Sequence, residues 1–202
     1  MTRIIGGAAR GRTLRTPSGG ATRPTADRVR EALFSSLEST FGALSGVCFL
    51  DVFAGSGSVG LEAASRGASW VTLVERDRSV AAGIAANART LGFTGLEVTA
   101  MSAAALSRTP SARSFDVAFL DPPYDVASET LTPILTGLGE LGWLSPGAVV
   151  VLERSRHSGG WQWPDGFEAG RDRRYGDTVL WYGRFGPPPE EPMPASATEE
   201  VE

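Results

Sequence analysis

Asp121, Pro122, Pro123 and Tyr124 follow one another without a break, directly after the apolar run FDVAFL at 115–120. Two prolines cannot continue a sheet, so the strand must stop there and hold its last carboxylate in a fixed turn. A carboxylate and a backbone carbonyl side by side make a pair of acceptors. They match the two N–H groups of a planar exocyclic amine, whose lone pair is delocalised into its ring and is therefore a poor nucleophile. Drawing both hydrogens aside favours a pyramidal, more nucleophilic nitrogen. Proline suits the carbonyl position because its φ is fixed and it brings no competing N–H. The ring of Tyr124 offers a stacking platform for a flipped base, an interaction typically worth ~1–3 kcal/mol. Such chemistry runs on positioning and electrostatics and needs no strong base. That agrees with a chain whose single histidine, His157, lies in a glycine-rich loop and reads as a surface residue.

A second constellation precedes it. FLDVFAGSGSVG contains Gly55-x-Gly57-x-x-Gly60 between a strand and a helix, a spacing that lets backbone turn tightly and approach a ligand. Glu75 ends the next strand 20 residues after Gly55, where an acid grips ribose hydroxyls in nucleoside-binding folds. The glycine pattern alone does not separate a nicotinamide cofactor from S-adenosylmethionine. Asp51, four residues before Gly55, tilts the choice: a carboxylate repels a pyrophosphate but favours a sulfonium and an amino group.

These residues need a scaffold that brings strand ends together, and the hydrophobic pattern provides one. Residues 1–16 read as two short strands around a glycine-containing turn. Val29, Leu33 and Leu37, with Phe34 widening the stripe, predict an amphipathic helix from Thr25 to near Gly42. Strands then alternate with helices: strands at 47–53, 70–75, 96–100, 115–120 and 148–153, helices at 58–67 and 77–92, a short alanine-rich one after 100, and one over roughly 127–141 with Pro133 in its first turn. Apolar strands alternating with helices predict a parallel sheet covered on both faces. FEAGRDRRYGDTVLWYGRF at 167–185 holds two strand-like runs around a polar turn and predicts an antiparallel hairpin at the sheet edge. In a 3-2-1-4-5 strand order the first and fourth strands flank the switch point, so the glycine loop and Asp121 face one crevice.

Composition bounds the rest. The chain has 202 residues, one cysteine (Cys48) and no apolar run long enough to span a bilayer, which points to a reducing, cytoplasmic setting. Its net charge of −4 hides an asymmetry. All 19 basic residues are arginine, and Arg3, Arg10, Arg12, Arg15, Arg23, Arg28 and Arg30 face a single acid, Asp27, in the first 30 positions. The last sixteen residues carry five acids and no base, so the remaining chain has a net charge of +1. A basic front end of arginines, which fork onto phosphate and stack on bases, points to nucleic acid. No cluster of His, Cys and acids suggests a metal, and nothing indicates an oligomer.

Taken together, DVFAGSGSVGLEAASRGA, VERD and FLDPPYD resemble class I S-adenosylmethionine-dependent amino-methyltransferases. RIIGGAARGRTL, RPTADRVREALFSSL and RRYGDTVLWYGR narrow this: the chain resembles the RsmD family, which methylates the N2 amine of a guanine in 16S ribosomal RNA, over about residues 3 to 185. The resemblance implies a Rossmann-like α/β fold with a seven-stranded, mostly parallel sheet of order 3-2-1-4-5-7-6, its last strand antiparallel, plus an N-terminal β-hairpin and helix. It divides the chain into an N-terminal part (1–45), a methyltransferase domain (46–186) and an acidic, disordered tail (187–202). It implies that Asp51, Ala54, Gly55, Ser56 and Gly57 lie along the cofactor's methionine part, that Glu75 holds the ribose, and that Arg76 flanks the adenine. Related enzymes often carry Asp or Asn after the third strand; here VTAMSAAAL has no acid, leaving Met101 to pack on the adenine and Ser102 to take the polar role. Asp121, Pro122, Pro123 and Tyr124 hold the guanine. Arg10, Arg12, Arg23, Thr25, Arg28 and Arg30 face 16S ribosomal RNA or a small-subunit particle, and the enzyme acts as a cytoplasmic monomer without metal or membrane. Rival readings are an adenine-N6 DNA methyltransferase, a nicotinamide-dependent oxidoreductase and an RNA-binding assembly factor without the chemistry.

Overall fold

The computed structural model describes residues 2–15, 27–123 and 125–186. The chain opens with β1 (Thr2–Arg3) and β2 (Thr13–Leu14), paired antiparallel, followed by α1 (Asp27–Phe41). The main sheet is built from β3 (Cys48–Asp51), β4 (Trp70–Glu75), β5 (Leu96–Ala100), β6 (Phe115–Leu120), β7 (Leu144–Ser155), β8 (Phe167–Tyr175) and β9 (Thr178–Phe185). Its order is β5-β4-β3-β6-β7-β9-β8. Counted within this sheet, that is the expected 3-2-1-4-5-7-6, with β9 antiparallel to both its neighbours. The helices between strands are α2 (Ser58–Ser65), α3 (Arg78–Leu91), α4 (Ala103–Leu106) and α5 (Ser128–Glu140).

Strands buried on both faces explain the continuous apolar runs. Along β6, Val117 and Phe119 face one cluster while Ala118 and Leu120 face the other; along β7, Val149 and Val151 oppose Ala148, Val150 and Leu152. The first cluster packs against α1, α2 and α3 through residues such as Phe34, Leu61 and Ile84; the second packs against α4 and α5 through Leu106, Leu131 and Leu135. Ile4, Leu14, Val29, Leu33 and Leu37 belong to the first cluster, so the described segments 2–15 and 27–45 share the sheet's core.

Two details differ from the sequence expectation. β7 begins at Leu144, four residues before the predicted 148, because Leu144 pairs with Phe115 ahead of a register shift in the β6 ladder. Pro133 lies in the interior of α5, at its sixth residue, instead of in the first turn. There it removes one helical N–H on the exposed side of a helix whose Leu131, Ile134, Leu135 and Leu138 are buried against the sheet.

A buried ionic cluster ties the N-terminal segment down. Glu62 in α2 is fully buried and accepts from the Ile5 and Gly6 amides at 2.7 Å each and from Arg66 Nε at 2.8 Å. Arg30 of α1, also fully buried, donates to the Arg3 carbonyl at 2.6 Å and to Asp27 Oδ1 at 3.0 Å, and its Nε lies 3.8 Å from Glu62 Oε2. Burial pulls the Arg30 pKa down, opposed by Glu62 and Asp27. Ser65 Oγ donates to the Gly6 carbonyl and accepts from the Ala9 amide. The turn between β1 and β2 is thereby fastened to the C-terminal end of α2.

Candidate active site

The glycine loop opens from β3 and feeds α2. Gly55 and Gly57 have φ of 52° and 75°, in the left-handed region that a Cβ disfavours, and Gly57 is the residue before the first turn of α2. Gly60 serves a different purpose. A Cβ there would sit 2.5 Å from Leu73 Cδ2 on β4, so glycine lets α2 lie close on the sheet. That closeness brings the Gly60 amide to 2.9 Å from Asp51 Oδ2. Gly60→Ala is therefore expected to destabilise the fold by about 1–3 kcal/mol through overpacking. It should also weaken cofactor binding by disturbing Asp51; unchanged melting and affinity would contradict this account.

Asp51 is almost wholly buried, and its second oxygen, Oδ1, has no hydrogen-bond partner among the described residues. Burial pushes its pKa up to about 7; the Gly60 hydrogen bond opposes this, while repulsion from Asp121 and Glu75 adds to it. Glu75 has both oxygens engaged: Oε2 accepts from the Gly55 amide at 2.9 Å and Oε1 from the Asp77 amide at 2.8 Å. It thus braces the glycine loop as well as facing the crevice. Each carboxylate oxygen accepts more than one hydrogen bond, so capacity for ribose hydroxyls remains.

A single cleft of about 820 Å³ collects these groups. Asp51, Ala54, Gly55, Ser56, Glu75, Arg76, Met101, Ser102, Asp121, Pro122 and Pro123 all line it, as does Arg28. Gly57 stands just behind, its Cβ position filled by Ile84. Ser102 caps α4, its Oγ accepting from the Ala105 amide at 3.2 Å, and the Met101 amide donates to the Glu75 carbonyl at 3.0 Å. β6 ends at Leu120, directly before Asp121, as the prolines require. The Pro123 carbonyl accepts from the Val126 amide at 3.0 Å, closing a turn. Among the described residues no backbone amide donates to the Pro122 carbonyl. Burial pushes Asp121 up to about 7, with Arg154 pulling the other way.

Besides Gly57, three expected residues do not line this cleft, and three others lie outside the described residues. Arg30 is the correction: it was expected to face RNA, but its side chain is fully buried in the ionic cluster and presents nothing to solvent. Arg10 and Arg12 are exposed but do not line the cleft. Their turn docks on the C-terminal end of α2, about 12 Å along that eight-residue helix from the glycine loop at its N-terminus. Tyr124, Arg23 and Thr25 lie outside the described residues, as does the tail from 187. Sequence reading missed Glu153 and Arg154. Glu153, one residue past the Leu120–Leu152 pair, lines the cleft beside Asp121; Arg154 is buried next to it with Nη1 lacking a hydrogen-bond partner among the described residues. The signal was available: AVVVLE ends in an acid as VTLVE does.

S-adenosylmethionine fits this arrangement. The cleft gathers Asp51, Glu75 and Asp121 with an unsatisfied buried oxygen, a local excess of negative charge that a sulfonium and an ammonium group relieve. A cation there favours the ionised carboxyls. Affinity for S-adenosylmethionine is therefore expected to rise with pH through about 7, with protons released on binding. Titration calorimetry in buffers of differing ionisation enthalpy reads this directly, and proton uptake would contradict it. Without cofactor the sign for stability is the reverse: Asp51 and Asp121 bind more protons folded than unfolded. Their contribution is thus most favourable at low pH and diminishes as pH rises from the unfolded value of 3.8 to about 7.

Comparison with known proteins points the same way. The family model described as conserved hypothetical protein 95 matches residues 2–184. The ribosomal RNA small subunit methyltransferase D of Escherichia coli K12 is 40% identical over 160 residues, spanning 78% of this chain and 76% of its own. Its namesake from Haemophilus influenzae is 36% identical over 159 residues, spanning 76% and 79%. Among solved structures, yhhF of Escherichia coli, provisionally described as a methyltransferase, superposes with a TM-score of 0.79 at 32% identity, covering 92% of this chain and 98% of that one. Magnesium protoporphyrin IX methyltransferase of Synechocystis, solved with bound S-adenosylmethionine, shares the fold at a TM-score of 0.61 and 14% identity, with 79% of each chain covered.

Proposed function

The chain belongs to the RsmD family of S-adenosylmethionine-dependent ribosomal RNA methyltransferases, and from that membership we propose that it methylates the exocyclic N2 of a guanine in 16S ribosomal RNA. The observation that carries the reading is that Asp121 and Pro122 line the same cleft as the glycine loop, Asp121 being the residue that directly precedes the two prolines. Guanine N2 is a planar amine with two N–H donors, which the Asp121 carboxylate and the Pro122 carbonyl match as a pair of acceptors.

The bound cofactor supplies an electrophilic methyl group on a positively charged sulfur. The protein's own part is to hold the amine in place and to manage its proton. Asp121 and the Pro122 carbonyl accept the two N–H bonds and turn the nitrogen lone pair out of the ring plane. Arg154, buried beside them, favours the ionised Asp121 against the cost of burial. A carboxyl held near 7 is suited to take the proton that the methylated amine gives up. The proposed part of Tyr124 is to stack on the base. Burial of Asp51 and the closed packing at Gly60 keep the cofactor's end of the cleft rigid, so most of the rate enhancement comes from orientation. The lone cysteine and the ribosomal substrate support a cytoplasmic enzyme.

Incubation with methyl-labelled S-adenosylmethionine and, in parallel, naked 16S RNA, small-subunit particles lacking the modification, and duplex DNA tests the substrate class. Label is expected in ribosomal RNA or the particle. Label in DNA alone, or in none of them, would overturn the reading.

A further inference from the structure

Three features outside the catalytic groups invite explanation. One is the second hollow, of about 640 Å³, behind the Asp125–Glu129 turn; its mixed lining of Arg154, His157, Asp177 and Glu129 selects no ligand chemistry. Another is the aromatic group of Trp161, Trp163, Phe167 and Phe185, whose rings pack on one another and close the second core cluster. The third is the arginine-rich strand β8, and the geometry there reaches furthest.

β8 is the edge strand of the sheet and is exposed along nearly its whole length. It runs toward the carboxyl ends of the parallel strands, and the turn that follows it, Tyr175 to Thr178, lines the cofactor cleft. Arg173 pairs with Leu180 on β9, so its side chain shares the face of Leu180 and Tyr182, which is the face covered by α1. The ladder shifts register between Ala169 and Asp172, so that Arg171 stands opposite Tyr182 in the bulge, and both Arg171 and Arg173 act on the Tyr182 hydroxyl electrostatically. Tyr175 continues the row into the cleft. Arg28 of α1 joins it at the top: its guanidinium lies where a Cβ on Gly176 would be, 2.7 Å away. Among the described residues no carboxylate pairs with Arg28, Arg171 or Arg173. Arg174 differs in both respects. It pairs with Val179, which puts it on the opposite face, and its Nε lies 3.3 Å from Asp172. The acid at the tip, Asp177, is held by Arg156 at 3.2 Å.

We propose that the row Arg171, Arg173 and Arg28 is the track along which the ribosomal RNA backbone enters the cleft, its phosphates engaged by guanidinium groups on the α1 face of β8. Charged residues on an edge strand also deter sheet-to-sheet aggregation. That duty is indifferent to which face they occupy, and it would be served equally by the paired Arg174. An unpaired row confined to one face, climbing to the mouth of the cleft, fits a polyanion that must end in the site. The inference rests on the ribosomal RNA reading given above and moves the contact surface away from the N-terminal turn with Arg10 and Arg12.

The test compares the native protein with Arg171→Gln/Arg173→Gln and with Arg174→Gln, using 16S RNA or small-subunit particles over a range of salt. The double variant is expected to lower the slope of log affinity against log salt by about 1.4–1.8, from two lost phosphate contacts. Its KM should rise roughly tenfold, with S-adenosylmethionine affinity and melting temperature unchanged. Arg174→Gln should behave as the native protein. A double variant with the native salt slope, or one matched by Arg174→Gln, overturns the track. Failure of the native protein to methylate ribosomal RNA would instead sink the underlying functional reading.

Discussion

Asp121→Ala is expected to lower methyl transfer to RNA by about 10²–10³-fold, the scale on which removal of one oriented polar group at a reacting centre is felt, while S-adenosylmethionine still binds. The separation follows from where the groups sit. Asp51 and Glu75 are fixed by hydrogen bonds within β3, α2 and the turn after β4, none of which involves Asp121. Losing Asp121 also removes a negative charge that pushes Asp51 upward, so the remaining carboxyl becomes easier to ionise. Asp121→Asn refines the result. It keeps one acceptor for the amine but cannot hold the released proton, and its pH profile should lack the rise through about 7 expected of the native enzyme. Measurement of single-turnover transfer alongside calorimetric cofactor binding checks both points. If cofactor binding falls in step with transfer, Asp121 serves the cofactor and the amine-holding account is wrong.

Glu62→Gln should cost about 3–5 kcal/mol of folding stability, because it breaks a buried ionic cluster from one side. The glutamine keeps the shape, so no large cavity is made. It takes from buried Arg30 the one carboxylate near it that is itself fully buried, takes from Arg66 a carboxylate at 2.8 Å, and asks an amide to face two backbone N–H donors from Ile5 and Gly6. For a protein whose net stability is of the order of 5–15 kcal/mol, that is a large share. The N-terminal strands should loosen first, seen as faster amide exchange at Ile4 and Gly11, whose amides bond across the turn. A denaturation midpoint close to the native one would show that the cluster contributes little.

The scaffold was readable because its strands are buried on both faces and its helices on one. Those two patterns differ in period, and each break falls at a glycine, a proline or a cap, as at Asp77, whose carboxylate accepts from the Ser79 and Val80 amides at the start of α3. Pro133 misled because a proline favours a first turn but tolerates an exposed interior position when packing on the other side holds the helix. Arg30 misled for a better reason. Its charge suggested a nucleic-acid contact, yet Arg30, Leu33, Phe34 and Leu37 stand at i, i+3, i+4 and i+7, so the arginine lies on the apolar face. That spacing marked it for burial; its partner Glu62, on another helix, could not be found from spacing. The residues proposed to hold the cofactor were picked out as motifs, but the bracing of Gly55 by Glu75 depends on geometry. So does the adjacency of Glu153 and Asp121, which exists only because β6 and β7 pair in this register.

The central claim is that the cleft presents acceptors to an exocyclic amine of guanine. Complete nucleoside digestion of the RNA labelled by this enzyme, resolved by chromatography and mass spectrometry, tests it most directly. The account predicts that the label co-migrates with N2-methylguanosine. Label in N6-methyladenosine, in a ring-nitrogen methylated base or in a 2′-O-methylated ribose would contradict it.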